Sequence, residues 1–139
     1  MNITDQFDQQ DFNFIKKKVV EYNMEELPDE IKTANEDIAF MLKDDNGEII
    51  GGITANMFWH HIHIEFLWVD KRYRKDGYGS LLLERLEDYA REQKCRLIYL
   101  DSFSFQAPGF YQKNDYEIFG KLDDHPKGYA LYFLQKQLG

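Results

Sequence analysis

Residues 62–93 constrain this chain more than any other stretch. Residues 62–69 form an apolar run of strand length, and residues 79–93 repeat apolar side chains at helical spacing, with Leu82, Leu86 and Tyr89 on one stripe. Between them lies a basic, glycine-bearing segment, Asp70-Lys71-Arg72-Tyr73-Arg74-Lys75-Asp76-Gly77-Tyr78-Gly79-Ser80. A further apolar strand, residues 96–103, follows the helix. A strand that leaves through a helix and returns as a strand is a crossover, and crossovers join parallel strands.

The other elements are antiparallel in pattern. Residues 38–43 and 48–58 flank Asp44-Asp45-Asn46-Gly47, and Asn-Gly is the strongest short hairpin signal. The His60-His61 corner carries the chain into the run at 62–69, completing a meander. Residues 107–113 read as a short helix. Residues 116–122 and 129–136 read as closing strands around Asp124-His125-Pro126-Lys127-Gly128. Near the start, residues 8–24 form an amphipathic helix: Phe12, Ile15, Val19 and Tyr22 share one face, Lys16, Lys17 and Lys18 the other. Asp8 or Asp11 can cap it, and Leu27-Pro28-Asp29 ends it. Residues 2–4 are too short for a strand. No repeat or linker divides the chain, so the expectation is α/β: a mixed, mostly antiparallel sheet flanked by helices, in a single domain over residues 1–139. On the helix at 79–93, Glu84, Arg85, Glu87, Asp88, Arg91 and Glu92 are assigned to water, with Glu87 and Arg91 as an i,i+4 ion pair.

A hydrophobic fraction of 43% excludes a disordered chain. Residues 1–10 are polar and acidic, unlike a leader, and no run of about 18 apolar residues occurs, so no membrane partner is expected. The single cysteine, Cys95, cannot form an intrachain disulfide, which points to the reducing cytoplasm. Its position beside a strand start reads as a small buried residue, not a nucleophile. The net charge of −8 is uneven: residues 1–70 hold five basic and fifteen acidic side chains, residues 71–139 twelve and ten. The acidic half argues against nucleic acid and would attract a cationic ligand, although plain solubility produces the same asymmetry.

The segment before the helix fits an anion. The first N–H groups of a helix have no partners within it, and the macrodipole adds partial positive charge there. Gly77 and Gly79 lack Cβ, so backbone can approach a phosphate closely. Lys71, Arg72, Arg74 and Lys75 add cations. A pyrophosphate suits such a loop. The Walker and dinucleotide patterns are both absent.

These residues resemble a known family. Arg74-x-x-Gly77-x-Gly79 after an apolar strand is similar to the acetyl-CoA motif of the Gcn5-related N-acetyltransferases (GNAT). Ala107-x-x-Phe110-Tyr111-x-Lys113-x-x-Tyr116 resembles that family's second signature, a short helix with an aromatic-Tyr pair. The match spans residues 36–136. The resemblance implies the acyl-CoA N-acyltransferase fold, with a gap between the strands at 62–69 and 96–103. Acetyl-CoA is then the co-substrate: pantetheine on the backbone of Leu67, Trp68 and Val69, pyrophosphate on Arg74, Lys75, Asp76, Gly77, Tyr78, Gly79 and Ser80, and Tyr111 near the thioester sulfur. Ser104 occupies a cofactor position where many members have asparagine, and Asp115 stands at the family's usual glycine. Related enzymes often pair through terminal strands, which implies a homodimer.

Acetyl transfer to an amine needs a neutral nitrogen, hydrogen bonds to the developing oxyanion, and stabilisation of the leaving thiolate. Tyr111 is the candidate general acid; aromatic packing is the structural alternative. Glu65 is the candidate base, because it interrupts an apolar strand; a structural ion pair or simple attraction of a cationic substrate would also explain it. The resemblance implies a backbone oxyanion donor near Val69. His60, His61 and His63 do not make a metal site, because His61 and His63 share a strand face and His60 does not. Phe58, Trp59, Phe103 and Phe105 are candidates to wall the acceptor pocket or to fill the core. The leading expectation is an enzyme that moves acetyl to a primary amine of a small cationic molecule by direct transfer in a ternary complex. The alternative is a non-catalytic acetyl-CoA-binding module on the same fold.

Overall fold

A computed structural model describes all residues, Met1–Gly139. Contacts divide the chain into two compact units, Met1–Thr33 and Ala34–Gly139. In the first, helix α1 covers Gln9–Glu26. Asp8 caps it, its Oδ1 accepting from the Gln10 N–H at 2.8 Å. The helix stops where Leu27 turns extended ahead of Pro28. Residues 2–4 form no strand, and no residue of α1 is buried.

The second unit is a six-stranded sheet with two helices. Its elements are β1 (Glu36–Lys43), β2 (Ile49–Phe58), β3 (His61–Val69), α2 (Tyr78–Glu92), β4 (Leu97–Phe103), α3 (Pro108–Lys113), β5 (Glu117–Asp123) and β6 (Ala130–Gln137). The strand order is β1-β2-β3-β4-β6-β5, antiparallel except for the β3–β4 pair. The Asn46-Gly47 turn joins β1 to β2, with Gly47 at φ 80°. Leu82, Leu83, Leu86 and Ala90 of α2 lie in one buried cluster with Ile53, Ile62, Ile98 and Leu134 of four strands. Each large aliphatic side chain buried this way contributes roughly 1.5–3 kcal/mol, which fixes α2 and hence the loop before it.

One expectation for α2 is corrected. Glu87 does not face water beside Arg91; it is 7% exposed, among the leucines. Its Oε1 lies 3.1 Å from Lys136 Nζ of β6, and its Oε2 accepts from the Tyr116 hydroxyl at 2.8 Å. A buried carboxylate needs such partners, and β6 supplies them. Arg91 pairs instead with Asp88, at 3.7 Å.

Two irregularities of β3 shape the region that follows. Its parallel ladder with β4 runs only from His61↔Leu97 to His63↔Tyr99, and the His63 and Tyr99 rings stack there at 4.5 Å. Past that rung the strands are no longer hydrogen-bonded. On the other side, Thr54 pairs with Phe66 and Ala55 with Ile64, so Glu65 is the extra residue of a β-bulge.

Candidate active site

The loop between β3 and α2 has the form an anion site needs. Asp70 starts a short 3-10 turn, Lys71–Tyr73, and accepts from the Arg72 backbone N–H at 2.9 Å. Asp70 also takes the Arg72 guanidinium at 3.1 Å, and that bond holds the carboxyl below the usual carboxylate range. Arg72 therefore spends its charge locally. Arg74 folds back along the loop, its Nε donating to the Val69 carbonyl at 2.9 Å. Gly77 caps α2 at φ 80°, a left-handed conformation that costs glycine little, and no side chain caps the helix. The first N–H groups of α2 are thus left for a ligand.

A cavity of about 390 Å³ opens onto this loop, bounded by Leu67 and Val69 of β3, by Arg74, Gly77, Gly79 and Ser80, and by Ala107, Phe110 and Tyr111 at α3. Phe110 lies over Gly79, where a Cβ would sit 3.3 Å from its ring. Behind α3, Asn114 Nδ2 donates to the Phe110 carbonyl at 2.9 Å and lies 3.5 Å from Ser80 Oγ. Cationic side chain, bare helix end and side-chain-free approach together fit a pyrophosphate with an attached apolar arm.

A second, smaller cavity of about 120 Å³ lies in the β3–β4 gap, lined among others by Glu65, Phe66, Asp101 and Gln106. Both cavities share Leu67, Ala107 and Tyr111. Tyr111 stands on the wall between them and is 7% exposed. Its ring packs edge-on against Phe110 and Tyr116, at 5.1 and 5.7 Å. Its hydroxyl has no hydrogen-bond partner in the protein, and burial pushes its pKa up to about 12. Glu65 is exposed on its bulge and not buried in a continuous strand, so burial does not oblige it to find an ion-pair partner, and it has none.

The sequence-derived site residues divide accordingly. Tyr111, Glu65, Leu67, Val69, Arg74, Gly77, Gly79 and Ser80 line the two cavities. Trp68, Lys75, Asp76 and Tyr78 do not line them; Tyr78 instead packs edge-on against Tyr73 at 6.3 Å. Ser104 bonds to β6, its Oγ accepting from the Ala130 N–H at 3.1 Å. Phe58 and Trp59 pack on each other at 5.0 Å, and Phe103 stacks on Phe105 at 5.3 Å; none of the four lines either cavity. No group of three or more metal-ligating side chains is assembled. Cys95 is buried, which pushes its thiol pKa up.

Asp101, Gln106 and Asn114 were not singled out from the sequence. Asp101 carries the same signal that marks Glu65, a carboxylate in an apolar strand. Asp115 adopts φ 70°, which is why glycine suits its position.

A model of the acetyltransferase (GNAT) family matches residues 5–116. Blasticidin-S acetyltransferase of Streptomyces morookaense is 38% identical over 95 residues, 68% of this chain and 70% of that protein. The crystal structure of an acetyltransferase from Bacillus cereus ATCC 14579 is 47% identical and superposes with a TM-score of 0.96, over 99% of this chain and 98% of that one. A Bacillus anthracis str. Ames structure in complex with acetyl coenzyme A, 24% identical, shares the fold with a TM-score of 0.67 over 81% of this chain and 69% of that one.

Proposed function

The chain belongs to the acetyltransferase (GNAT) family, whose co-substrate is acetyl-CoA, and on that premise we propose that it acetylates a primary amine of a small cationic molecule by direct transfer in a ternary complex. The observation that carries this reading is that Tyr111, whose hydroxyl has no protein partner, lines both cavities. One cavity has the bare helix end and Arg74; the other has carboxylates. Donor and acceptor would meet across Tyr111, and holding them together supplies much of the rate. No nucleophilic cysteine lines either cavity, which supports direct transfer over a covalent enzyme intermediate. The relative named for blasticidin S supports a small-molecule acceptor. The family match runs through residues of both compact units, which supports one N-acetyltransferase domain over residues 1–139.

Leu67, Val69, Arg74, Gly77, Gly79 and Ser80 hold acetyl-CoA, with Trp68, Lys75, Asp76 and Tyr78 contributing backbone and charge around them. When bound, it supplies the activated acetyl group. Ser104 then acts indirectly, by tying the end of β4 to β6. Glu65 accepts a proton from the acceptor ammonium, directly or through water, and leaves a nitrogen lone pair. The Val69 backbone N–H is the oxyanion donor. Tyr111 keeps its proton at neutral pH and presents it to the leaving sulfur. A phenol near 12 lies well above a thiol at about 8.5, so Tyr111 acts more as a strong hydrogen-bond donor than by complete proton transfer, and the proton that the nitrogen sheds after attack is the one the departing thiolate takes up.

We place the enzyme in the cytoplasm; no helix is long and apolar enough to cross a membrane. We also propose a homodimer through the terminal strands, because edge strand β5 exposes Ile118, Phe119 and Leu122. Sedimentation equilibrium of the wild type and Phe119→Lys tests this. The test of function is free-thiol release from acetyl-CoA against polyamines, aminoglycosides, amino acids and basic peptides. Turnover confined to small cationic amines supports the proposal. Cofactor binding without thiol release across the panel favours the non-catalytic module.

A further inference from the structure

The smaller cavity contains two carboxylates. The β3–β4 ladder ends at His63↔Tyr99, and two residues further along each strand stand Glu65 and Asp101. Both line the cavity together with Tyr111. Both are exposed, neither makes a hydrogen bond or ion pair, and no cationic side chain lines the cavity with them. Because the ladder has ended, the strands here need not keep the ~4.8 Å spacing of paired strands, and a ligand can enter between them. A second observation marks this as a ligand site and not a solvated acidic surface. Tyr111 is 7% exposed, has a hydroxyl without a partner, and lines the same cavity.

Resting on the N-acetyltransferase reading, we infer that Glu65 and Asp101 form a two-point cation anchor, and that the acceptor carries two positive groups: the amine to be acetylated and a second amine or guanidinium. Two carboxylates at one cavity offer places for two cations, and a monocation occupies only one. The chemistry also gives a second cation a task. The reacting ammonium must give up its proton, to Glu65 in this reading, and from that moment no longer pairs with a carboxylate. The second cation stays ionised on Asp101 and holds the neutral amine in place. Asp101 is therefore the specificity-determining residue, and Glu65 handles the proton.

The experiment uses butylamine, 1,4-diaminobutane and 4-guanidinobutylamine, acceptors of one chain length with one or two charges. Thiol release is followed at low ionic strength, and binding of each amine is measured in parallel by calorimetry. Both doubly charged acceptors should exceed butylamine in kcat/KM by ~10–100-fold. Asp101→Asn should remove that preference by raising KM, with kcat changed less than about threefold and acetyl-CoA affinity intact; Asp101→Glu should restore part of it. Turnover on amines without preference for the second charge overturns the anchor and leaves the enzyme reading standing. An unchanged KM in Asp101→Asn does the same. Failure of wild-type protein to bind either dication also overturns the anchor. Dication binding that Asp101→Asn abolishes, with no thiol release from any amine, keeps the anchor and overturns the enzyme reading.

Discussion

Phe110 lies so close over Gly79 that a Cβ at that glycine would sit 3.3 Å from the tip of its ring. The two residues come from different motifs, one from the loop that starts α2 and one from the helix that carries Tyr111. A side chain at Gly79 would therefore disturb both the helix end and α3. Gly79→Leu is expected to weaken acetyl-CoA binding at least ~10-fold, because phosphate contacts made through backbone N–H groups need close approach. Calorimetry on folded protein checks this, and equal affinity would remove the loop from the cofactor site.

Removal of the Tyr111 hydroxyl isolates its chemical part from its packing. Tyr111→Phe keeps the ring against Phe110 and Tyr116. Turnover should fall about 10–100-fold, at or below the low end expected of full proton donors, with acetyl-CoA affinity within about twofold. Because burial pushes this phenol up to about 12, its ionisation should not appear in a pH–rate profile between 6 and about 10. An alkaline decline in that interval which vanishes in Tyr111→Phe would mean that the phenol ionises there, and would contradict the raised pKa.

The Glu87–Lys136 pair should dominate stability among the polar contacts. Losing one partner strands a charge, with the side chains only 9% and 19% exposed. Glu87→Leu or Lys136→Met alone should cost about 2–4 kcal/mol, and the double variant less than either single one. Urea denaturation of the four proteins forms the cycle; additive losses would mean the pair is not coupled. Burial, with the Glu87 charge beside it, also drives the Tyr116 pKa far above that of an ordinary phenol. That hydroxyl should therefore stay protonated throughout.

His61 should make stability depend on pH. Burial is the largest influence lowering its pKa, and His63 and Arg96 push the same way against a hydrogen bond that the imidazole donates to the Phe58 backbone. Between the lowered folded value and 6.5, the unfolded chain binds more protons than the folded one. Stability from this group is thus present above 6.5 and lost as pH falls through that window. His61→Gln should flatten the difference between chemical denaturation at pH 7.5 and 5.5; an unchanged slope would assign the dependence to other groups.

Much of this molecule is readable in its sequence where the signal is local. Asn46-Gly47 marks a hairpin, and the loop ending at Gly79 announces a helix end bare enough for an anion. What escapes is set by distant partners. Glu87 reads as a wet residue because Lys136, which draws it inward, lies on another strand. Nothing local to Ser104 shows that its hydroxyl accepts from the Ala130 N–H on another strand. Asp101 goes unnoticed because its surroundings depend on where the β3–β4 ladder stops. Glu65 is noticed, but for burial it does not have: the bulge that exposes it is a mismatch with β2, invisible in one strand alone.

The two cavities share only Leu67, Ala107 and Tyr111. If donor and acceptor occupy them as proposed, the residues that recognise each are nearly separate populations. Drift at Asp101 or Gln106 can change what is acetylated without touching the affinity for the acetyl source. Such a partition lets one scaffold acquire new clients by a few substitutions in a strand gap, and it gives an engineer a short set of positions at which to retarget the enzyme.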